Sequence, residues 1–141
     1  DDRNRRSIYL VARRRYNLSL LGVFDHPVLS TNAKERGTSA VVLQSLMMLN
    51  DKEVLTQARQ FAERVAGAEA NAGPEKWVDS AYLYALSRRP DRNESEALTS
   101  LLHREKERSL KEGRSGREAT LEALASVCHV ILNANEFLYV N

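Results

Sequence analysis

From position 42 onward, apolar residues return every three to four positions, and polar breaks containing Gly or Pro divide the run into helices. Val42, Leu43, Leu46, Met47 and Leu49 predict a first helix that Thr38 or Ser39 can cap and that ends near Asn50. Asn50 followed by Glu53 has the spacing of a capping box for a second helix. Its apolar positions Val54, Leu55, Ala58, Phe61, Ala62 and Val65 share one face, and Lys52, Gln57, Arg59, Gln60, Glu63 and Arg64 hold the other. Gly67 is expected to close it, with Ala68 to Gly73 as a small-residue linker. Pro74 then opens a third helix carrying Trp77, Val78, Ala81, Tyr82, Ala85 and Leu86, which Pro90 stops.

Asp91 with Glu94, or Asn93 with Glu96, can cap a fourth helix built on Ala97, Leu98, Leu101 and Leu102. Its continuation from His103 to Glu112 is almost entirely charged apart from Leu110, so it is expected to project into solvent or fray before Gly113. After the break at Gly113 to Gly116, Leu121, Leu124, Ala125, Cys128, Ile131 and Leu132 define a fifth helix. The expected fold is therefore mainly all-α, with about five helices in an antiparallel bundle-like arrangement joined by short connections. Residues 38–141 form the helical core of a single domain, and 1–37 form an irregular basic arm and loop. Within that arm, Ile8-Tyr9-Leu10-Val11 permits either a short strand or a single helical turn. Leu18 to Asn32, with Gly22 and the Asp25-His26-Pro27 turn signal, reads as a loop.

Composition narrows the function classes. The 141 residues are 43% hydrophobic, enough for one core, while 28% charged residues and a net charge of +2 create no large field of either sign. No nucleic-acid partner is expected. The basic excess gathers early, at Arg3, Arg5, Arg6, Arg13, Arg14 and Arg15, and the polar interaction candidates are Arg5, Arg6, Arg13, Arg14, Arg15 and Arg36. Such arginines can grip phosphates or anionic glycans, or pair with carboxylates of the same protein or of a neighbouring domain. Cys128 is alone, which excludes an internal disulfide, and no transmembrane run or export signal is present in these residues. The start at Asp1 suggests a fragment, a processed product or the end of something longer.

Six sequence elements occur in a fixed order: Arg6-Ser7-Ile8-Tyr9; Phe24-Asp25-His26-Pro27; Leu43-Gln44-Ser45-Leu46 with Leu49-Asn50-Asp51; Ala58-Arg59 to Ala62-Glu63-Arg64; Leu86-Ser87-Arg88-Arg89-Pro90 with Glu94; and Leu132-Asn133-Ala134-Asn135-Glu136-Phe137. In order and spacing, nearly the whole chain resembles the planctomycete C-terminal domain of unknown function found in large secreted proteins, often behind a cytochrome-c-like module. The resemblance implies a multidomain parent, export to the periplasm or beyond the cell, and haem in another domain of that parent, with no cofactor in this chain. It singles out Asp25, Pro27, Gln44, Asn50, Asp51, Arg88, Pro90, Asn133, Glu136 and Phe137 as motif positions with structural roles, and it assigns no catalytic residue. Where members of that family carry a cysteine soon after the Asp-x-Pro element, this chain has Asn32, and a Thr-Asn-Thr-Pro entry appears here as Ser39-Ala40-Val41-Val42. A metal or bridge at that cysteine is therefore not transferable.

The residues themselves offer little chemistry. Asp25-His26 reads as a turn rather than a carboxylate–imidazole pair, because neighbours in an extended loop point apart. Cys128-His129 diverge on a helix and place Cys128 on the apolar face, as a core thiol. His103 reads as solvated, and three dispersed histidines make no metal site. Trp77, Tyr82 and Tyr84 read as core rather than as a sugar platform, although Tyr84 can project onto a different face. The favoured reading is a non-catalytic module that packs against other domains of its parent. The alternative, an accessory part of an enzyme acting on extracellular polysaccharide or carrying out haem-linked oxidation with its site mostly in other domains, would show a deep pocket lined by Asp25, Arg36 and Gln44, and a subunit of a large assembly would show a wide apolar patch.

Overall fold

The computed structural model describes residues 41–69 and 72–139. The Ile8 to Val11 segment, the loop from Leu18 to Asn32, and the proposed caps Thr38 and Ser39 lie outside the described residues. Contacts divide the chain into two units, Asp1–Met47 and Met48–Asn141. Six helices and no strand occur among the described residues: α1 (Val41–Asn50), α2 (Lys52–Ala68), α3 (Pro74–Leu86), α4 (Arg92–Lys111), α5 (Gly116–Leu132) and the short α6 (Asn135–Leu138). The all-α expectation holds.

Asp51, not Asn50, caps α2: its Oδ1 accepts from the backbone N–H of Glu53 at 2.8 Å and of Val54 at 3.4 Å. Asn50 is instead the last residue of α1. A carboxylate at this position also complements the positive end of the α2 dipole, which an amide does not. Val54, Ala58, Ala62 and Val65 are buried along one face, whereas Leu55 is 45% exposed at the edge of the stripe. Gly67 sits inside the helix, and Glu69 is its C-cap. The Trp77 indole N–H donates to the Glu69 carbonyl at 3.0 Å and the Ser80 hydroxyl to its carboxylate at 3.3 Å, which fixes the turn into α3.

Pro74 occupies the first turn of α3, where a missing N–H costs nothing. The helix is ended by Ser87 rather than Pro90: Ser87 adopts the left-handed conformation (φ 57°, ψ 21°). Pro90 follows and holds the chain extended into the next N-cap. Asp91 and Glu94 form a full capping box for α4, each side chain accepting the other's backbone N–H.

The charged half of α4 neither frays nor stands clear of the bundle; the helix continues to Lys111 and buries Ser109. Straight-chain charged residues favour helix, and Arg108 pairs with Glu105 at 2.7 Å and Glu112 at 3.7 Å along the surface. On the inner side the Ser109 hydroxyl donates to Glu122 of α5 at 2.6 Å, and Arg114 pairs with the same carboxylate. These ties across the short Glu112 to Ser115 connection, with Gly113 at φ 85°, make α4 and α5 an antiparallel hairpin.

α5 is the centre of the second unit and packs most extensively against α2 and α4, and also against α3. Its buried residues Ala123, Leu124, Val127, Cys128 and Ile131 form one core cluster with Ala58, Ala62 and Val65, Val78 and Tyr82, and Leu98 and Leu102. Alanines on α2 and α5 permit close helix approach, while Leu102, Leu124 and Ile131 fill the volume. Ala97, expected on the apolar face of α4, is exposed. A His129 ring nitrogen lies 2.9 Å from the Met48 carbonyl oxygen, which ties α5 to the end of α1.

Candidate functional site

The most concentrated ionic chemistry among the described residues lies where α3 gives way to α4. Three local signals build it. The left-handed Ser87 ends α3 and turns Arg88 out of the helical path, Pro90 limits the connection, and the Asp91 capping box fixes Glu94 in the first turn of α4. The chain then returns from 42 residues beyond Glu94, through the Asn133 C-cap, to bring Glu136 of α6 to the same point.

Arg88 sits between the two carboxylates. Its Nε and one terminal nitrogen donate to Glu136 at 2.8 and 2.7 Å, and its terminal nitrogens donate to both Glu94 oxygens at 2.8 Å. The remaining donor reaches the Arg89 carbonyl at 3.1 Å. A guanidinium has five N–H groups, so every donor of Arg88 is spent on this protein's own acceptors. The Arg88 guanidinium carbon also lies 5.2 Å from the centre of the Tyr82 ring, within cation–π reach.

The electrostatics follow from that geometry. The hydrogen bonds from Arg88, helped by the Asp91 N–H, hold the Glu94 carboxyl down to about 2. The Arg88 fork also lowers Glu136, and the two carboxylates in turn raise Arg88. Burial, then the nearby Glu94 charge, raises the Tyr82 phenol. Near neutrality each group is locked in its ordinary ionisation state. General acid–base catalysis needs a group that exchanges a proton near the working pH, and oxyanion stabilisation needs donors aimed at a ligand; this cluster offers neither. It is a clamp joining three parts of the chain.

Beside it runs an open groove of about 450 Å³, lined by Gln57, Gln60, Phe61 and Arg64 of α2, Tyr84 and Ala85 of α3, Leu132 of α5 and Phe137 of α6. Tyr84 is 57% and Phe137 40% exposed. Tyr84 thus departs from the core face that Tyr82 occupies. Trp77 is half-buried against the core.

The remaining candidates are scattered. Arg5, Arg6, Arg13, Arg14, Arg15, Arg36, Asp25 and Pro27 lie outside the described residues, as do His26 and Asn32. Gln44 is buried in α1. Asp51 caps α2 and Pro90 is half-buried in the α3–α4 connection. Asn133 donates from its amide to the His129 carbonyl at 2.8 Å as α5 ends. Cys128 is fully buried, and burial pushes its thiol up to about 12. His103 is exposed. Among the described residues no group of three His, Cys, Asp or Glu side chains is placed to hold a metal ion, and no helix is long and apolar enough to cross a membrane. Sequence reasoning missed Tyr82 as the ring against Arg88 and missed the groove; the capping-box spacing of Asp91 and Glu94 was the one local signal near either.

No curated protein and no solved structure matches the chain. The family model described as "PSD1: Protein of unknown function (DUF1553)" matches residues 1–102, which takes in Arg88 and Glu94 and stops short of Glu136. By that match over most of its length, the chain belongs to the DUF1553 family of proteins of unknown function.

Proposed function

We propose that this chain is a non-catalytic structural and interaction module that terminates a larger exported protein and packs against that protein's other domains. The observation that carries this reading is the state of Arg88: all five of its N–H groups serve Glu94, Glu136 and Arg89. Arg88, Glu94 and Glu136 are the motif residues with the most chemical potential, and their roles are internal. The exposed aromatic groove beside them supplies a surface for interaction in place of a reaction centre. Resemblance to planctomycete secreted proteins supports export and, with it, the reading that any haem belongs to a different domain of the parent.

The test is to purify the native polypeptide and measure its intact mass, visible spectrum and cross-links. The reading expects a longer chain with cross-links from residues 41–139 to other domains, and haem absorbance where a cytochrome-like domain is present. A native polypeptide ending at the bounds of this chain, with no stable companion, overturns it.

A further inference from the structure

We propose that the groove between α2, α3 and α6 is a peptide-binding site, taking an apolar segment that presents a carboxylate, in the simplest case the C-terminal residue of a partner polypeptide. This deepens the reading of the chain as an interaction module and rests on it.

The lining supplies each part of that recognition. Phe61, Tyr84, Leu132 and Phe137 offer apolar and aromatic surface for one or two side chains along an open groove of about 450 Å³. The Gln60 carboxamide carries both a donor and an acceptor, the pair that a peptide unit requires. Among the described residues that line the groove, Arg64 is the one cationic side chain and none is a carboxylate, so this lining is complementary to an anion and opposed to a cation. A planar guanidinium also matches a carboxylate in two-point geometry.

The Arg88 clamp gives the site its shape. α6 has no buried residue, and its Glu136 is held by Arg88 at 2.7 and 2.8 Å; the next residue is Phe137, one wall of the groove. The clamp is thus a positioning device for the binding wall, and Arg64 is the specificity group.

The test titrates the 141-residue chain with N-acetyl-Leu-Phe bearing a free carboxylate and, separately, with its C-terminal amide, following backbone amides by NMR. The carboxylate form is expected to saturate, to perturb amides at Gln60 to Arg64, Tyr84 and Phe137, and to bind about tenfold more tightly than the amide, the scale of one charge-assisted hydrogen bond. Arg64→Gln, at an exposed position that leaves the fold intact, should abolish that preference. Glu136→Gln should weaken both peptides together while Arg64 still discriminates. Absence of saturable binding, equal binding of the two peptides to the parent chain, or perturbations confined to another face overturns the proposal. Those outcomes leave the mass and cross-links of the native polypeptide untouched, so the site and the broader reading fail separately.

Discussion

At the scale of single residues, Arg88 shows how exposure and importance separate. Its side chain and those of Glu94 and Glu136 are 38%, 30% and 49% exposed, so each ion pair is screened by water and salt. The cluster matters because one planar group satisfies two carboxylates from distant parts of the chain at once. Glu94 makes this testable by pH. Its folded carboxyl is depressed from 4.5 to about 2, so the stability it contributes is present above pH 4.5 and is lost as pH falls towards 2. In Glu94→Gln, urea midpoints followed between those pH values should fall less steeply than in the parent chain. Cys128 has the opposite shift: its raised value keeps the thiol neutral in the folded state. Its reaction with a disulfide reagent at pH 8 should run at the rate of unfolding, and a fast native phase would show that the core opens at α5.

At the scale of elements, the helices legible in the sequence were those whose signals are local. Asp91 and Glu94 lie three residues apart and each satisfies the other's backbone, so the start of α4 could be read directly. Asn50 misled because Asn-x-x-Glu and Asp51 compete within one residue, and the carboxylate prevailed. The second half of α4 was misjudged because charge alone does not indicate exposure: Ser109, Glu122 and Arg114 satisfy one another at the hairpin, so polar residues can pack there. Ser87 could not be foreseen as a stop signal, since a non-glycine residue in the left-handed region is uncommon. It should therefore be improvable. Ser87→Gly removes Cβ crowding at φ 57° and should raise unfolding free energy by roughly 0.5 to 1 kcal/mol, after the greater freedom of glycine in the unfolded chain is set against it. Chemical denaturation measures this, and a loss of stability would mean that the serine side chain has a role beyond ending α3.

At the scale of the whole molecule, the fold places Asp51 at the cap of α2 and joins Arg88 to Glu136 in the clamp. The all-α class followed from helical periodicity, because burial of one face is a property of each segment, whereas the central place of α5 did not. The clamp and groove did not, because Arg88 and Glu136 are 48 residues apart and no local pattern encodes their meeting. What the structure adds is therefore tertiary: the C-terminal element is tied to the α3–α4 connection by charge, and that tie shapes the exposed aromatic face. The most direct test is a double-mutant cycle of Arg88→Gln and Glu136→Gln read by urea unfolding. If the two residues hold the fold as a unit, each single variant lowers the midpoint and the double variant loses no more than the worse single one. Strictly additive losses, or no loss in either single variant, would contradict the account of Arg88 as the clamp on which this end of the molecule depends.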